Sequence, residues 1–143
     1  MTAAKRESVR DIDFIAPPEM VDEELRLVLL ETVPADHQGG FLPVYKFRMQ
    51  HVIGAAALGE INLRVGYTDN VMFYRGNIGF TVYEAYRGNA YAERGCRLLT
   101  PLIRHHGLYP VWLTCNADNT ASRKTIGLSI QTPLRPLGSE RPP

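Results

Sequence analysis

Two short stretches hold most of the residues whose types and spacing could do chemistry. In the first, residues 83–92 (YEAYRGNAYA), a strand-length apolar run gives way to a loop and then to a helical pattern. The first turn of a helix has unsatisfied N–H groups and the positive end of the dipole, so it suits an anion. Small residues at Gly88, Ala90 and Ala92 would let a diphosphate approach the backbone, and Arg87 adds charge or a structural hydrogen bond. No Lys-Ser/Thr pair follows, so this is not a Walker phosphate loop, and Gly88 alone is no dinucleotide fingerprint. The same residues also describe a plain strand-to-helix turn. In the second stretch, residues 111–122 (VWLTCNADNTAS), Asn119 has two donors and an acceptor, so it could cap a helix or bond a ligand amide.

For acid–base work the nominee is Glu60, on a strand, acting through water if burial raises its pKa. The alternative is a solvated strand face. Glu84 is the lesser candidate, beside the loop. His105 and His106 fall at the far end of the helix, and His37 and His51 sit in separate segments, so no metal-ligand spacing exists. Cys96 and Cys115 read as small core residues rather than a disulfide framework. Cys115 at a strand end has no histidine close in sequence.

The elements that must position these groups change period half-way along. Residues 25–31 (LRLVLLE), 41–49 (FLPVYKFRM), 58–65 (LGEINLRV) and 77–83 (NIGFTVY) read as strands, the middle two with clean alternation. From 90 to 106, Ala92, Cys96, Leu99 and Ile103 fall at helical spacing, with Gly107 as the stop. Gly95 and Pro101 cost this helix about 1 and 3 kcal/mol, which predicts a kink near 97–101. Residues 109–115 (YPVWLTC) read as a strand, 116–119 as a turn, and a short helix is expected from Thr120. The order predicts an α/β fold with a mixed, mostly antiparallel central sheet flanked by helices, in a single domain over 21–127. Residues 1–20, interrupted by Pro17-Pro18, read as a partly disordered leader, and 128–143 as a proline-rich tail.

Composition excludes several classes. The net charge is +1, and no run of five basic residues exists, so nucleic acid is not an expected partner. No apolar stretch approaches the roughly 18–20 residues of a membrane helix. The first residues lack the apolar region of a signal peptide, which points to the cytoplasm and reduced cysteines.

Residues 78–92 resemble the fourth strand and pyrophosphate loop of GNAT-type N-acetyltransferases, whose loop reads Gln/Arg-x-x-Gly-x-Gly/Ala. Arg87 fills the first position and Ala92 the last, while Ala90 stands where glycine is usual. Alanine tolerates positive φ poorly, so a right-handed conformation is expected at Ala90. Residues 111–122 look like the family's fifth strand and following helix, with Asn119, Ala121 and Ser122 matching its Asn-x-Ala-Ser. Residues 59–66 also look like the third strand of a bacterial subgroup, and the resemblance covers roughly 24–126. It implies acetyl-CoA as cosubstrate and a small-molecule or peptide amine as acceptor. It also implies pantetheine bonded by the backbone of Phe80, Thr81 and Val82, and pyrophosphate wrapped by Gly88, Asn89, Ala90, Tyr91, Ala92 and Glu93. Val82 N–H would polarise the thioester carbonyl, and Asn119 and Ser122 would contact the cofactor. The family's proton-donating tyrosine, seven residues after the motif asparagine, is here Ile126, and the Leu-Gly-Phe helix ending is not found in 126–131. The family's last two strands are not expected from the proline-rich end, which implies an open sheet edge and self-association. A non-catalytic acyl-CoA-binding module, or another nucleotide-binding domain, would use the same loop.

Overall fold

The computed structural model describes residues 9–69, 71, 75–108, 111–113 and 133–134. Alternation along the chain builds its sheet. In the segment around Tyr45, Phe47 and Met49 these three are buried, while Arg48 between them is exposed. Such a pattern lets one face of a strand join a core while the other meets water. Five strands follow this logic: β1 (Val21–Asp22), β2 (Leu25–Val33), β3 (Val44–His51), β4 (Ala57–Arg64) and β5 (Ile78–Val82). They form an antiparallel sheet in the order β1-β2-β3-β4-β5. Bulges interrupt the register between Leu29 and Glu31 and between Met49 and Gln50. Compared with the sequence pattern, β3 starts later than residue 41, because Phe41 turns back onto Asp36 through a pair of backbone hydrogen bonds of 3.0 and 2.9 Å.

The expected long helix is two helices, α1 (Tyr91–Leu98) and α2 (Thr100–His105). The break falls at Leu99, whose N–H is shared between the carbonyls of Gly95 and Cys96 at 3.2 Å each. Pro101 lies in the first turn of α2, where its missing N–H has no helical partner to lose. Gly107, at φ +68°, ends α2 in the left-handed conformation that glycine adopts without strain. Gly95 has a packing reason to be there. A Cβ on it would lie 3.2 Å from Ile61 Cδ1 and 3.5 Å from Met49 Sδ, so its absence lets α1 settle onto the sheet. Ala92, Cys96, Leu99, Leu102 and Ile103 complete the core over that face.

The ends of the chain depart from expectation. Residues 9–20 form no regular element, but Ile12, Phe14 and Ile15 pack against the core and Met20 is buried, so this part of the expected leader belongs to the folded unit. The tail also contributes a strand. β6 (Val111–Trp112) is paired antiparallel by β7 (Pro133–Leu134), which corrects the expectation of no strand after residue 126. A proline fits such a short edge strand, where a missing N–H breaks no ladder. The turn at 116–119 and the short helix from Thr120 lie outside the described residues.

The N-terminal segment is held by one polar cluster in the core. Ile15 N–H donates to the phenol oxygen of Tyr45 at 3.0 Å, and that phenol bonds His106 Nε2 at 2.7 Å. The ring of Phe14 meets Tyr45 edge-on at 5.0 Å. Burial, and then the neighbouring His105, lower the pKa of His106 from its ordinary 6.5. With Nε2 unprotonated, a neutral His106 accepts the phenol proton, and protonation of Nε2 removes that acceptor. The unfolded chain therefore takes up the proton more readily than the folded one. Stability should be complete above pH 6.5 and fall as the pH drops below it. Urea midpoints between pH 7.5 and 5 check this, and His106→Gln should flatten the pH dependence.

Candidate functional site

The phase of the β4–β5 ladder decides which backbone groups of β5 are available. Arg64 N–H donates to Asn77 O at 2.7 Å, and Tyr83 N–H donates to Leu58 O at 2.9 Å. Hydrogen-bonded pairs recur every second residue in an antiparallel ladder. With Gly59 opposite Val82 and Leu63 opposite Ile78, the bonded residues of β5 are Gly79 and Thr81. Ile78, Phe80 and Val82 turn their N–H and C=O groups the other way. Ile78 meets Leu113 there in a parallel bridge, and Asn77 locks the junction by donating N–H to Trp112 O at 2.7 Å and accepting Trp112 N–H at Oδ1, 3.0 Å away. Thr81 thus has its backbone engaged with Glu60, and Phe80 and Val82 are the residues that present main-chain groups at the outer edge.

Beyond Val82 the chain makes a 3-10 turn (Glu84–Tyr86) and reaches α1 through Arg87, Gly88, Asn89 and Ala90. Arg87 Nε donates to Val82 O at 3.1 Å, which fastens the loop to the strand end. Asn89 Nδ2 donates to Tyr86 O at 2.9 Å. Gly88 has φ +98° and Ala90 has φ 60°, ψ 30°. The right-handed conformation expected of Ala90 is therefore wrong: alanine takes the left-handed conformation that a glycine would take with less strain. The surrounding hydrogen bonds over-determine the loop, and a left-handed alanine costs roughly 1–2 kcal/mol. Ala90 supplies no side-chain cap to α1, and the first helical bond is from Arg94 N–H to Ala90 O at 3.0 Å. The amides of Tyr91, Ala92 and Glu93 consequently have no partner within the helix. These donors follow an exposed Gly88 and, one loop earlier in the chain, the outer edge of β5.

The sequence model of the acetyltransferase (GNAT) family matches residues 6–126, well over half of the chain. The chain belongs to the GNAT family of acetyltransferases. The single domain, with its five-stranded antiparallel sheet and packed helices, agrees with the acyl-CoA N-acyltransferase fold. No curated protein and no solved structure matches the chain.

In this GNAT chain the loop is anchored from behind by Arg94. Its Nε donates to Asp22 Oδ2 at 2.8 Å, and its Nη2 to Glu24 Oε1 at 2.9 Å and to Asp22 O at 2.8 Å. Nη1 donates to Glu24 Oε2 and to Asn89 O, each at 3.2 Å. All five guanidinium donors are used. Tyr91 adds a hydroxyl bond of 2.7 Å to Glu24. Arg94 first, and Tyr91 second, hold the Glu24 carboxyl down to about 2. The network ties the start of α1 and the carbonyl of Asn89 to the β1–β2 turn. Glu93 is directed along the helix to Arg97 at 2.9 Å.

Glu60 is exposed on the sheet face opposite α1, the solvated strand face rather than the buried setting its role as a base called for, and accepts the Tyr83 hydroxyl at 3.1 Å. That bond is the main reason the Tyr83 pKa is raised. Tyr83 is the residue that sequence reasoning missed. It lies one residue beyond β5, at the same end as Val82, and alternation places it on the face of Thr81 and Glu60. Glu84 is exposed within the 3-10 turn. Cys96 is buried and its thiol is pushed up to about 12, so it is inert as a nucleophile. Asn119, Ser122, Cys115 and Ile126 lie outside the described residues. No metal-sized group of His, Cys, Asp or Glu occurs among the described residues.

If the loop geometry is built for a glycine, Ala90→Gly should relieve strain. It should raise folding stability by about 0.5–1 kcal/mol, since glycine's greater freedom in the unfolded chain offsets part of the gain. Thermal melting checks this, and a lower melting temperature would contradict the left-handed assignment.

Proposed function

We propose that the chain transfers acetyl from acetyl-CoA to a small-molecule or peptide amine. The observation that supports this best is the outward backbone edge of Phe80 and Val82 leading, through a single short loop, into a helix start with no side-chain cap. When bound there, acetyl-CoA supplies an activated acetyl thioester. The amides from Gly88 to Glu93 hold the diphosphate, aided by the helix dipole. The main-chain groups of Phe80 hold the pantetheine arm, since Val82 C=O already accepts Arg87 Nε. Val82 N–H points at the place where a carbonyl oxygen gains charge. Asn119 and Ser122 would add contacts, on the family resemblance alone.

The acceptor amine must lose a proton to attack. Glu60 takes it through a water, and its bond with Tyr83 orients the carboxylate. Ile126 cannot donate a proton, and the phenol of Tyr83, one residue beyond β5, is the alternative donor, re-protonated by Glu60 once Glu60 has taken the amine's proton. A cytoplasmic setting suits both acetyl-CoA and an unpaired Cys96. No helix among the described residues is long and apolar enough to cross a membrane. Self-association belongs to the same proposal: β1 covers only Leu25 and Arg26 of β2, and Leu30 further along is 48% exposed. Sedimentation should show a concentration-dependent dimer, and a monomer at every concentration would refute it.

One residue favours a second reading, a module that binds acyl-CoA without turnover: Ile126 stands where the family's acid is usual. Calorimetry should show binding of coenzyme A but not of ATP, and thiol release from acetyl-CoA should depend on an added amine. Glu60→Gln should lower kcat/KM about 100-fold with coenzyme A affinity unchanged. Tight coenzyme A binding with no thiol release across an amine panel would establish the second reading, and binding of ATP alone would overturn both.

A further inference from the structure

Two residues of the loop before α1 have positive φ, Gly88 at +98° and Ala90 at 60°, and only the first is glycine. Ala90 must therefore be held from outside itself. Its φ and ψ are the relative orientation of the two planar peptide groups that flank it. One group carries Asn89 C=O and the other carries the C=O of Ala90. Arg94 holds both. Its Nη1 donates to Asn89 O at 3.2 Å, and its backbone N–H donates to Ala90 O at 3.0 Å. Turning Ala90 right-handed while its own carbonyl stays on Arg94 N–H would swing Asn89 O away from Nη1. In a trans peptide the N–H lies opposite the C=O. Fixing Asn89 O on Arg94 thus also turns Ala90 N–H away from Arg94.

The guanidinium is itself a fixed point. Its other hydrogen bonds go to Asp22 and Glu24, so β1 and the β1–β2 turn clamp it. The side chain is 20% exposed, which leaves water little access to these bonds. Tyr91 closes the ring of contacts, with its hydroxyl on Glu24 at 2.7 Å and its ring 5.2 Å from Arg94 Cζ. The turn is anchored in the sheet as well, because Val52 N–H donates to Glu24 O at 2.9 Å. The planar fork of arginine suits this geometry. A lysine has one ammonium on a flexible stem, with no fork to span Asp22, Glu24 and Asn89 at once.

On the acetyltransferase reading proposed above, we infer that Arg94 is a positioning residue for the diphosphate of the cofactor. From the β1–β2 turn it imposes on Ala90 the conformation that a glycine would reach unaided. The loop amides are thereby aimed before coenzyme A arrives. Asp22 and Glu24 become part of the cofactor site without touching the cofactor. Without this clamp Ala90 relaxes to the right-handed conformation, and each binding event must restore the left-handed one. That costs roughly 1–2 kcal/mol, or about 5–30-fold in affinity.

The test is a double-mutant cycle read by calorimetry with coenzyme A on the full chain. Its members are the wild type, Arg94→Lys, Ala90→Gly and the double variant. Lysine keeps a positive charge beside Asp22 and Glu24, so Arg94→Lys removes the geometry and not the charge. It should weaken coenzyme A about 5–30-fold. Adding Ala90→Gly should recover most of that loss, because glycine reaches positive φ without strain. In the wild-type background the same substitution should gain at most about twofold, since Arg94 already holds the conformation. An Arg94 that only stabilises the fold would give no such rescue. If melting shows that Arg94→Lys does not fold, Glu24→Ala takes its place in the cycle, with the same loss and the same rescue expected. Undiminished binding by the clamp variant, no rescue by Ala90→Gly, or an equal gain from Ala90→Gly in both backgrounds would each overturn the inference and leave the acetyltransferase reading standing. A wild-type chain that fails to bind coenzyme A would overturn that reading, and this inference with it.

Discussion

The register of β5 against β4 is the constraint on which the rest of the site depends. Gly59 opposite Val82 sets the phase, and the phase turns Phe80 and Val82 outward and Gly79 and Thr81 inward. A one-residue slip would exchange both the hydrogen-bonding edges and the faces. Gly59 itself guards this register, because a Cβ there would run into the carbonyl of Thr81. The same phase puts Ile61 and Leu63 into the core and leaves Glu60, Asn62 and Arg64 together on the polar face. An outward backbone edge and a polar face are thus two products of one ladder.

The loop that follows takes its shape from this ladder and from Arg94. Arg87 reaches back to the last carbonyl of β5, and Arg94 reaches across to Asp22 and Glu24. Between the two anchors, Ala90 is held left-handed without a glycine's freedom. Strain of this kind persists only where neighbours fix the chain on both sides. The Arg94 network, partly shielded and using every donor, is the group of contacts able to do so. Ordering the loop before ligand arrives lowers the entropy cost of binding.

Much of this was legible from residue patterns. Alternation in 58–65 and in Tyr45, Phe47 and Met49 reveals strands, because a half-buried sheet has a period of two. Pro101 reveals the helix break, because proline lacks a donor. The conformation of Ala90 was not legible: local propensity opposes it, and only tertiary hydrogen bonds reverse the preference. The packing of Ile12, Phe14 and Ile15 was hidden because an irregular segment carries no periodicity. Strand β7 was hidden by Pro133. Tyr83 reads simply as an aromatic at a strand end until its hydroxyl is seen on Glu60.

The weight of Ile126 against catalysis can be judged by magnitude. A positioned general acid or base contributes typically about 10²–10⁴-fold. Holding two reactants in line supplies effective molarities up to about 10⁵–10⁸ M. A fixed backbone donor at a developing oxyanion adds roughly 10²–10³-fold. The last two effects need only the edge of β5, the α1 loop and a pocket for the acceptor, and none of these requires a phenol at residue 126. A coenzyme A thiol is also an acidic leaving group beside an amine, with a reference thiol pKa of about 8.5 against about 10.4 for a lysine-type amine. It therefore departs with less help from a proton. The terms that would remain together exceed the one that is lost, so replacement of the family's tyrosine by isoleucine argues for a slower acetyltransferase more strongly than for an inert one.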